Sequence, residues 1–423
     1  MASYLRTSIV TILFFFLSIV TSQIFGQDVI GNLEAYLNEY LDEIPSSNED
    51  DFVLPSDSEL ELWQSGLSMM DSGDLDAARD IFAQLNYQVL TFKDNAQAEL
   101  EDYFLIEELI PSTNFWGTYV INQRPCRSAV VLQAPHTKHD TNTGKQAIYC
   151  FTRLSAKGLM LAGTHRCNSL EFSSCDGTTS TCSDDPDKYR NSDLAHNAQS
   201  IFQATTEWLS DENINNNFIQ LHGFSKSADD PFLILSNGSR ETPLVDNLSS
   251  LAEALINIDD SLTSKIPHID LDWTRLVGFT NVQGRMLNEI DDPCDDPAIL
   301  NSGRFLHIEQ ERTRLRADSE GWEKMRSALA SVYDCEPVNV NQVDSGIQVE
   351  LFPNPTSGNI NIKGSGILSL QLWTIQGRLL FDEKYDLLHS LEVDLKKFSE
   401  TIFLARIEID GGVEWKKVVL VDN

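Results

Sequence analysis

Apolar and polar positions follow two different periods along the chain. From residue 58 to about 109, apolar residues recur at a spacing near 3.6 with a break at Gly73, which predicts a helical hairpin over residues 58–110. From about 115 to 335, short β-type apolar runs alternate with helical stretches. This alternation indicates an α/β domain over residues 111–337, with a mixed sheet flanked by helices. We expect the hairpin to pack on that domain.

The strands of this sheet are predicted where apolar β-branched and aromatic residues cluster between turn residues. They are Ala129–Gln133, Gly158–Ala162, Phe218–Leu221, Phe232–Leu235 and Phe305–Ile308. Helices are predicted for Asp193–Leu209 and Leu248–Ile258.

The pattern changes again after a polar linker, which is predicted over residues 338–347. Short alternating runs broken by Gly, Asn and Asp predict strands at Gln348–Phe352, Asn359–Ile362, Leu368–Trp373, Arg378–Phe381, Leu391–Leu395, Ile402–Ile409 and Trp415–Val421. Seven short strands in so few residues predict a small all-β sandwich domain, residues 348–423.

The N-terminal residues have the composition of a secretory signal peptide, predicted over residues 1–26. Arg6 precedes an uncharged apolar run, Ser8–Val20, that is too short for a settled membrane anchor. No later stretch approaches the length of a membrane span, so no transmembrane segment is expected. Residues 27–57 are acidic and are predicted to be an entry segment with little core of its own.

The charge of the chain is strongly negative and unevenly distributed. The net charge is -33, and residues 28–347, with 22 basic and 53 acidic residues, contribute -31 of it. Such a field repels phosphate backbones, which argues against nucleic acid as a partner.

The cysteines all lie in the central region, and export would allow them to form disulfides. There are seven, so one must stay unpaired or pair outside the chain. Cys167, Cys175 and Cys182 lack the two-residue gaps of a structural zinc cluster and are interpreted as a stapled loop. The sequence does not assign the pairing.

Ionisable residues follow four of the predicted strands directly. His136 and Asp140 follow the first strand, His165 and Arg166 the second, His222 the third and Glu309 the last. In open α/β sheets the carboxyl ends of the strands face one crevice, where binding sites are usually built.

This set of residues matches the needs of a metal hydrolase, which are about three N or O ligands, an open position for water and a nearby carboxylate. His136, Asp140 and His222 are the candidate ligands of zinc (Zn2+), with His139 as the alternative to Asp140. Glu309 is the candidate catalytic base. Arg166 is expected either to contact substrate and stabilise the oxyanion or to form a surface salt bridge.

Further side chains are candidates for substrate binding, and each also has a structural alternative: the disulfide loop for His165, helix packing for His196 and a solvated loop for Arg285 and Glu289. They are His165, His196, Arg285 and Glu289. His268, His307 and His389 are interpreted as structural residues.

The segments Pro135–His136, Asp140, Thr143–Gly144, Leu221–Gly223 and Ile308–Glu309 resemble the N-formylglutamate amidohydrolase-like group of the zinc peptidase-like fold. The resemblance covers about residues 115–320 and implies a zinc-dependent hydrolase of that fold. The chain departs from the usual His-x-x-Glu pair, since it offers His-x-x-His or His-x-x-x-Asp; the resemblance places the acid, Asp140, in the ligand set.

The tail contains the segments Leu351–Thr356 and Gly358–Ile360, a strand that runs into Trp373–Gly377, and the final Lys416–Leu420. In these segments it resembles the C-terminal sorting domains of the Bacteroidetes type IX secretion system. The resemblance implies export to the cell surface or medium by that machinery, usually with removal of the tail. An Ig-like adhesion module is the alternative.

Taken together, these patterns predict a secreted zinc-dependent amidohydrolase or peptidase acting on a small peptide or acyl-amino acid. No Gly-x-Ser-x-Gly elbow, phosphate loop or dinucleotide fingerprint is present, which disfavours serine hydrolases, kinases and oxidoreductases. The alternatives are a non-catalytic surface module that binds glycan or peptide, and a zinc esterase acting on polysaccharide.

Overall fold

The structure is a computed structural model that describes residues 28–47, 49–96, 100–182, 187–335, 349–374, 378–398, 401–409 and 412–421. The chain forms two compact units, Met1–Pro337 and Val338–Asn423. The predicted signal peptide and linker lie outside the described residues. Among the described residues, no helix is both long and apolar enough to cross a membrane.

The strands of the first unit belong to one mixed sheet. They are β1 (Asp28–Gly31), β2 (Tyr87–Asp94), β3 (Glu101–Glu108), β4 (Thr118–Asn122), β5 (Arg127–Ala134), β6 (Ala156–Leu161), β7 (Asn217–Phe224), β8 (Leu233–Ser236), β9 (Ser264–Lys265) and β10 (Phe305–Glu311). Their order across the sheet is β1-β2-β3-β4-β6-β5-β7-β10-β8-β9.

The helices of the first unit cover both faces of this sheet. They are α1 (Leu33–Glu43), α2 (Asp57–Asp71), α3 (Leu75–Ala83), α4 (Thr143–Leu154), α5 (Ile201–Glu212), α6 (Asn247–Ile258), α7 (Val282–Leu287), α8 (Arg312–Leu315) and α9 (Ser319–Val332), with a short 3-10 helix at Leu194–His196. The predicted α/β class is confirmed.

Alternating side chains along the central strands divide the core into two layers. In β5, Val130 and Leu132 pack with α1, α4, α6 and α9, whereas Val131 packs with α2, α3, α5 and α7. In β10, Leu306 and Phe305 divide in the same way. The strands are therefore buried on both faces, which explains their near-continuous apolar sequences.

The centre of the sheet is a parallel block. Strands β6, β5, β7 and β10 are neighbours in that order, and each adjacent pair is parallel. Their carboxyl ends therefore lie along one edge of the sheet. The five predicted strands correspond to β5, β6, β7, β8 and β10, and the helix predicted at Leu248–Ile258 is α6.

The N-terminal predictions need two corrections. Residues 27–57 are not without core, because β1 joins the sheet and α1 buries Leu33, Leu37 and Leu41 at a helical spacing of four. The predicted hairpin over 58–110 is helical only through α2 and α3. Residues beyond Leu85 form β2 and β3, whose aromatic and β-branched residues favour strands.

The helix predicted over Asp193–Leu209 also differs from the observed element. Residues 194–196 form the 3-10 helix, and α5 begins only after Ser200, whose side chain caps it by accepting a hydrogen bond from the Gln203 amide.

The second unit is all-β, as predicted, and its described residues form a five-stranded antiparallel sheet in place of the seven short strands predicted from the sequence. Its strands are β11 (Glu350–Phe352), β12 (Asn359–Thr374), β13 (Leu379–Asp394), β14 (Ile402–Ile409) and β15 (Gly412–Val419). Predicted strands merge in β12 and β13. The β12 register shifts between Lys363 and Ser369, and its first part pairs with β11 while its second part pairs with β14.

Six of the cysteines form disulfides, and the loop predicted from Cys167, Cys175 and Cys182 is stapled. The pairs are Cys126–Cys335, Cys167–Cys182 and Cys175–Cys294. Cys150 is the unpaired residue and is buried in the core.

Candidate metal centre

The predicted site residues meet at the carboxyl edge of the parallel block. His136 lies two residues after β5, and His222 and Glu309 are register partners on the neighbouring strands β7 and β10. These residues open into a cavity of about 450 Å3. Its lining is made of His136, Arg166, Gly177, Thr178, Thr179, Thr181, Tyr189, His196, His222, Thr274, Leu276, Val277, Gly278, Phe279, Thr280, His307 and Glu309.

The two-residue period of the strands selects which side chains reach the site. Gln220 and His222 lie on one face of β7, as do His307 and Glu309 on β10, all on the face opposite Leu221 and Ile308. His307 was interpreted as structural from the sequence, but its ring lies 4.4 Å from that of His222 and lines the cavity. The i, i+2 spacing to Glu309 was the signal for it.

Three potential ligand atoms converge in the centre of the site. The Nδ1 atoms of His136 and His222 are 3.2 Å apart, and they lie 3.3 and 3.4 Å from Oδ2 of Asp140. All three residues are buried. Four-coordinate zinc with bonds of about 2.0–2.1 Å places neighbouring ligand atoms about 3.3–3.4 Å apart. The mutual distances therefore fit a single zinc ion.

Hydrogen bonds fix how the two imidazole rings face this point. His136 Nε2 lies 2.8 Å from Oδ1 of Asp193, and His222 Nε2 lies 2.7 Å from Oε1 of Gln220. Because both partners are acceptors, the neutral form of each ring carries its proton on Nε2. The Nδ1 lone pairs of both rings are then directed toward the Asp140 carboxylate. Three electron-rich atoms in contact suit a cation.

Gln220 is itself held in place by a buried set of amides. Its Nε2 donates to the Oε1 atoms of Gln133 and Gln283, both at 3.1 Å, and its Oε1 accepts from Nδ2 of Asn281. Gln283 in turn donates to Gln203 on α5. These bonds assign which end of the Gln220 amide faces His222, so the orientation of that ring is set from within the core.

Asp140 and the alternative ligand His139 occupy different positions. Oδ2 of Asp140 faces the two histidines and accepts from the Gly223 amide at 3.1 Å, whereas Oδ1 lies 2.9 Å from Nδ1 of His139. His139 thus orients the carboxylate from outside the central cluster. This placement favours Asp140 as the ligand.

Asp193 connects most of the charged side chains around the site. Its Oδ1 contacts His136 and lies 3.0 Å from Nδ1 of His196, and its Oδ2 accepts from Nε of Arg166 at 2.9 Å and from Nη2. Asp193 is only 1% exposed. From the sequence, Asp193 was predicted only to begin a helix and was not assigned to the site; its i, i+3 spacing from His196 was the available signal.

Burial and charge shift the pKa values of these groups in opposite directions. Burial tends to raise the pKa of Asp140, but its histidine partners hold it well below the usual range. Burial and Arg166 tend to lower the pKa of His136, yet Asp193 and Asp140 raise it overall. Burial lowers the pKa of His222 to about 4, which favours the neutral ring.

Glu309 lies beside the cluster with an unsatisfied oxygen. It is 7% exposed, and its Oε2 has no hydrogen-bond partner among the described residues. Burial raises the pKa of Glu309 to about 8, and the nearby Asp140 carboxylate adds to the rise. A buried carboxyl group with a free oxygen at a cavity is suited to exchanging protons with a bound molecule.

The other predicted substrate contacts are only partly brought to the site. His196 lines the cavity and stacks on Tyr189, with ring centroids 3.6 Å apart. His165 packs against the outer His139, and its Nδ1 accepts from the Cys167 amide at 3.1 Å, which fits the structural alternative.

Arg285 and Glu289, which were predicted to contact substrate, are not among the residues that line the cavity. Arg285 is buried behind the cavity wall, where it binds Asp176 Oδ1 at 2.6 Å and the carbonyls of Phe279 and Cys294. Glu289 is exposed and does not belong to the cavity lining. The sequence around these two residues did not distinguish a side chain that supports the cavity wall from one that contacts substrate.

Comparison with known proteins identifies the C-terminal unit. Residues 350–421 match the secretion system C-terminal sorting domain. No curated protein matches the chain significantly. The prediction made from the tail is confirmed, and the domain implies an interaction with the type IX secretion machinery. The C-terminal unit is therefore a type IX sorting domain, and the protein is exported to the medium or the cell surface, as in Bacteroidetes.

Proposed function

We propose that this exported protein is a zinc-dependent hydrolase of an amide or peptide bond. The observation that carries the proposal is the convergence of His136 Nδ1, His222 Nδ1 and Asp140 Oδ2 at mutual distances of 3.2 to 3.4 Å. His136 and His222 line the cavity, and Asp140 completes the group behind them. A set of three protein ligands beside a cavity is typical of catalytic zinc, since structural sites are closed by a fourth protein ligand.

The chemistry needs a metal and a base. Zinc bound at these three atoms would polarise the scissile carbonyl, lower the pKa of an attacking water and favour the ionised form of Glu309. Glu309 takes one proton from the water while the oxygen of that water bonds to the carbonyl carbon. The same carboxyl group then gives that proton to the leaving nitrogen as the C–N bond breaks, which yields a carboxylic acid and an amine.

Arg166 supports the transition state from the cavity wall. Its Nε and Nη2 are held by Asp193, while Nη1 has no acceptor among the described residues. The Nη1 group can therefore donate a hydrogen bond to the oxygen that becomes negative during attack. Asp193 keeps the guanidinium oriented before substrate arrives.

The first test is the metal content of the full mature chain. We expect about one zinc per chain by elemental analysis, and loss of that zinc in both His136→Ala and His222→Ala. The matched control is His268→Ala, which removes a buried histidine that binds Asp246 and Asn237 away from the cluster. Folded protein that binds no stoichiometric zinc would contradict the proposal.

The second test separates catalysis from binding. Glu309→Gln keeps the size of the side chain but removes the base, so it should abolish hydrolysis of acyl-amino acids, peptides and esters while zinc stays bound. Loss of zinc in this variant would remove Glu309 from its proposed role. Bound zinc with an inert wild type across the same panel would instead support a non-catalytic binding module.

A further inference from the structure

We propose that the substrate is uncharged around the cleaved bond, as in an internal or capped amide, and carries no free carboxylate there. This inference rests on the proposed zinc hydrolase and names its substrate class. Three features of the cavity support it: the balance of charge, the pairing of Arg166 and the composition of the wall.

Carboxyl groups already dominate the balance of charge in the site. Asp140, Asp193 and Glu309 are all buried, and each belongs to a group of side chains that could hold a metal ion. Arg166 is the cation beside them and is paired with Asp193. A substrate carboxylate would add a further acidic group to this set, whereas an uncharged amide would not.

Arg166 is already neutralised by a carboxylate of the protein. Both residues of the Arg166–Asp193 pair are buried, with side chains 11% and 1% exposed. Binding a substrate carboxylate would place two carboxylates on one guanidinium, and like charges at that distance repel. Among the described residues that line the cavity, Arg166 is the only lysine or arginine.

The outer wall offers hydroxyl groups instead of cations. Two loops, residues 177–181 and 274–280, supply Thr178, Thr179, Thr181, Thr274 and Thr280. The Tyr189 hydroxyl joins them, 3.0 Å from Oγ1 of Thr280. Hydroxyl groups both donate and accept hydrogen bonds, so this wall suits uncharged amide and hydroxyl groups of a ligand.

The wall is held in place before any ligand binds. Disulfides Cys167–Cys182 and Cys175–Cys294 tether the first loop, and Arg285 joins Asp176 to the Phe279 carbonyl of the second. A tethered wall cannot bring a distant cation to a substrate carboxylate. The hydroxyl groups that line the wall therefore determine the preference for uncharged substrates.

The test compares matched ligands on the full mature chain loaded with zinc. For hydrolysis, we would use acetyl-dipeptides as free acids and as primary amides. For binding, we would use the monohydroxamate of succinic acid and its carboxamide analogue, since hydroxamates chelate zinc directly. We expect at least about a tenfold preference for the uncharged member in kcat/KM and in Kd.

A substitution in the cavity wall provides a second test of the inference. Thr274 is exposed at the cavity, so Thr274→Lys should place a cation there and shift the preference toward the free acids, whereas Thr274→Gln should not. Tighter binding or faster hydrolysis of the acids by the wild type overturns the inference and leaves the hydrolase intact. Absence of zinc, or of hydroxamate binding by zinc-loaded protein, overturns both.

Discussion

The two oxygens of Asp140 have different partners, and this difference predicts the effect of substitutions at neighbouring positions. Asp140→Ala removes the oxygen that faces His136 and His222, so zinc should be lost. His139→Ala removes only the contact to the other oxygen, so zinc should remain, with an affinity lower by about tenfold. Competition with a chromophoric chelator measures both. Equal loss of zinc in the two variants would make His139 a ligand.

Asp193 should affect zinc affinity and folding together. Asp193→Asn keeps the side-chain volume but weakens the bond that orients His136, so zinc affinity should fall by about 10- to 100-fold. It also leaves Arg166 buried without its counter-charge, which should lower the free energy of unfolding by about 3–5 kcal/mol.

A double variant separates the two effects of Asp193. Arg166→Gln combined with Asp193→Asn removes both charges, so most of the stability should return while zinc affinity stays low. Denaturant unfolding and chelator competition are the measurements. Unchanged zinc affinity in Asp193→Asn would show that His136 needs no such partner.

The sequence predicted those site residues that lie near the end of a strand, and it missed the others. His136, His222 and Glu309 follow or end apolar runs, so the pattern found them. His307 was assigned to the core because it lies inside such a run, although the strand period places it beside Glu309. Asp193 reaches the site through a loop whose path depends on tertiary contacts, and the local sequence does not encode that path.

At the scale of elements, the loop 177–181 and the strands that carry the ligands should respond differently to loss of a disulfide. Cys175→Ser with Cys294→Ser should loosen the cavity wall, so acetohydroxamate should bind the zinc protein several-fold more weakly. Zinc content should not change, because His222 lies on β7 and His136 and Asp140 lie between β5 and α4, outside the loop that the disulfide tethers.

The disulfide Cys126–Cys335 provides the matched control for this experiment. It joins the start of β5 to the residues after α9, and it is not part of the cavity lining. Replacing both of its cysteines should lower the free energy of unfolding by about 2–4 kcal/mol without altering hydroxamate affinity. Equal weakening of hydroxamate binding in both double variants would remove the special role of the wall.

Helices α4 and α9 share a pH-dependent contact. Glu323 accepts hydrogen bonds from Arg326, Ser327 and the Tyr149 hydroxyl, and these lower its pKa from 4.5 to about 2. Its stabilising effect is therefore complete above the unfolded pKa and is lost as the pH falls toward about 2. Because the side chain is 43% exposed, the effect should stay below about 1 kcal/mol.

Glu323→Gln tests this contact. The variant should unfold slightly more easily than the wild type at pH 7, and the difference should disappear in acid. Urea unfolding of both proteins at several pH values between 7 and 2 measures it. A difference that persists unchanged at pH 2 would mean that the carboxylate charge is not its source.

Element type was predictable where the hydrophobic period was long and uniform. The buried strands β5, β6, β7 and β10 and the amphipathic α6 were predicted close to their bounds. Strands β2 and β3 were missed because the helical period of α2 and α3 was extended beyond Leu85. Strands β12 and β13 were each divided, because their register shifts interrupt the alternation that a single strand would show.

At the scale of the whole molecule, the candidate metal centre and the sorting signal lie in different units of the chain. The candidate metal centre lies within Met1–Pro337, whereas the sorting domain lies within Val338–Asn423, and each unit has its own hydrophobic core. Removing residues 338–423 should therefore leave zinc content and hydroxamate affinity unchanged. It should abolish appearance of the protein at the surface or in the medium of a host with a type IX system.

The converse experiment tests whether the sorting domain alone is sufficient for export. Fusing residues 338–423 to a fluorescent protein that carries a signal peptide should export the fusion in that host, since the sorting domain is what the secretion machinery reads. A fusion without the domain is the control and should stay in the periplasm. Retention of both fusions would mean that export also needs the first unit. The sorting domain would then not be sufficient for export.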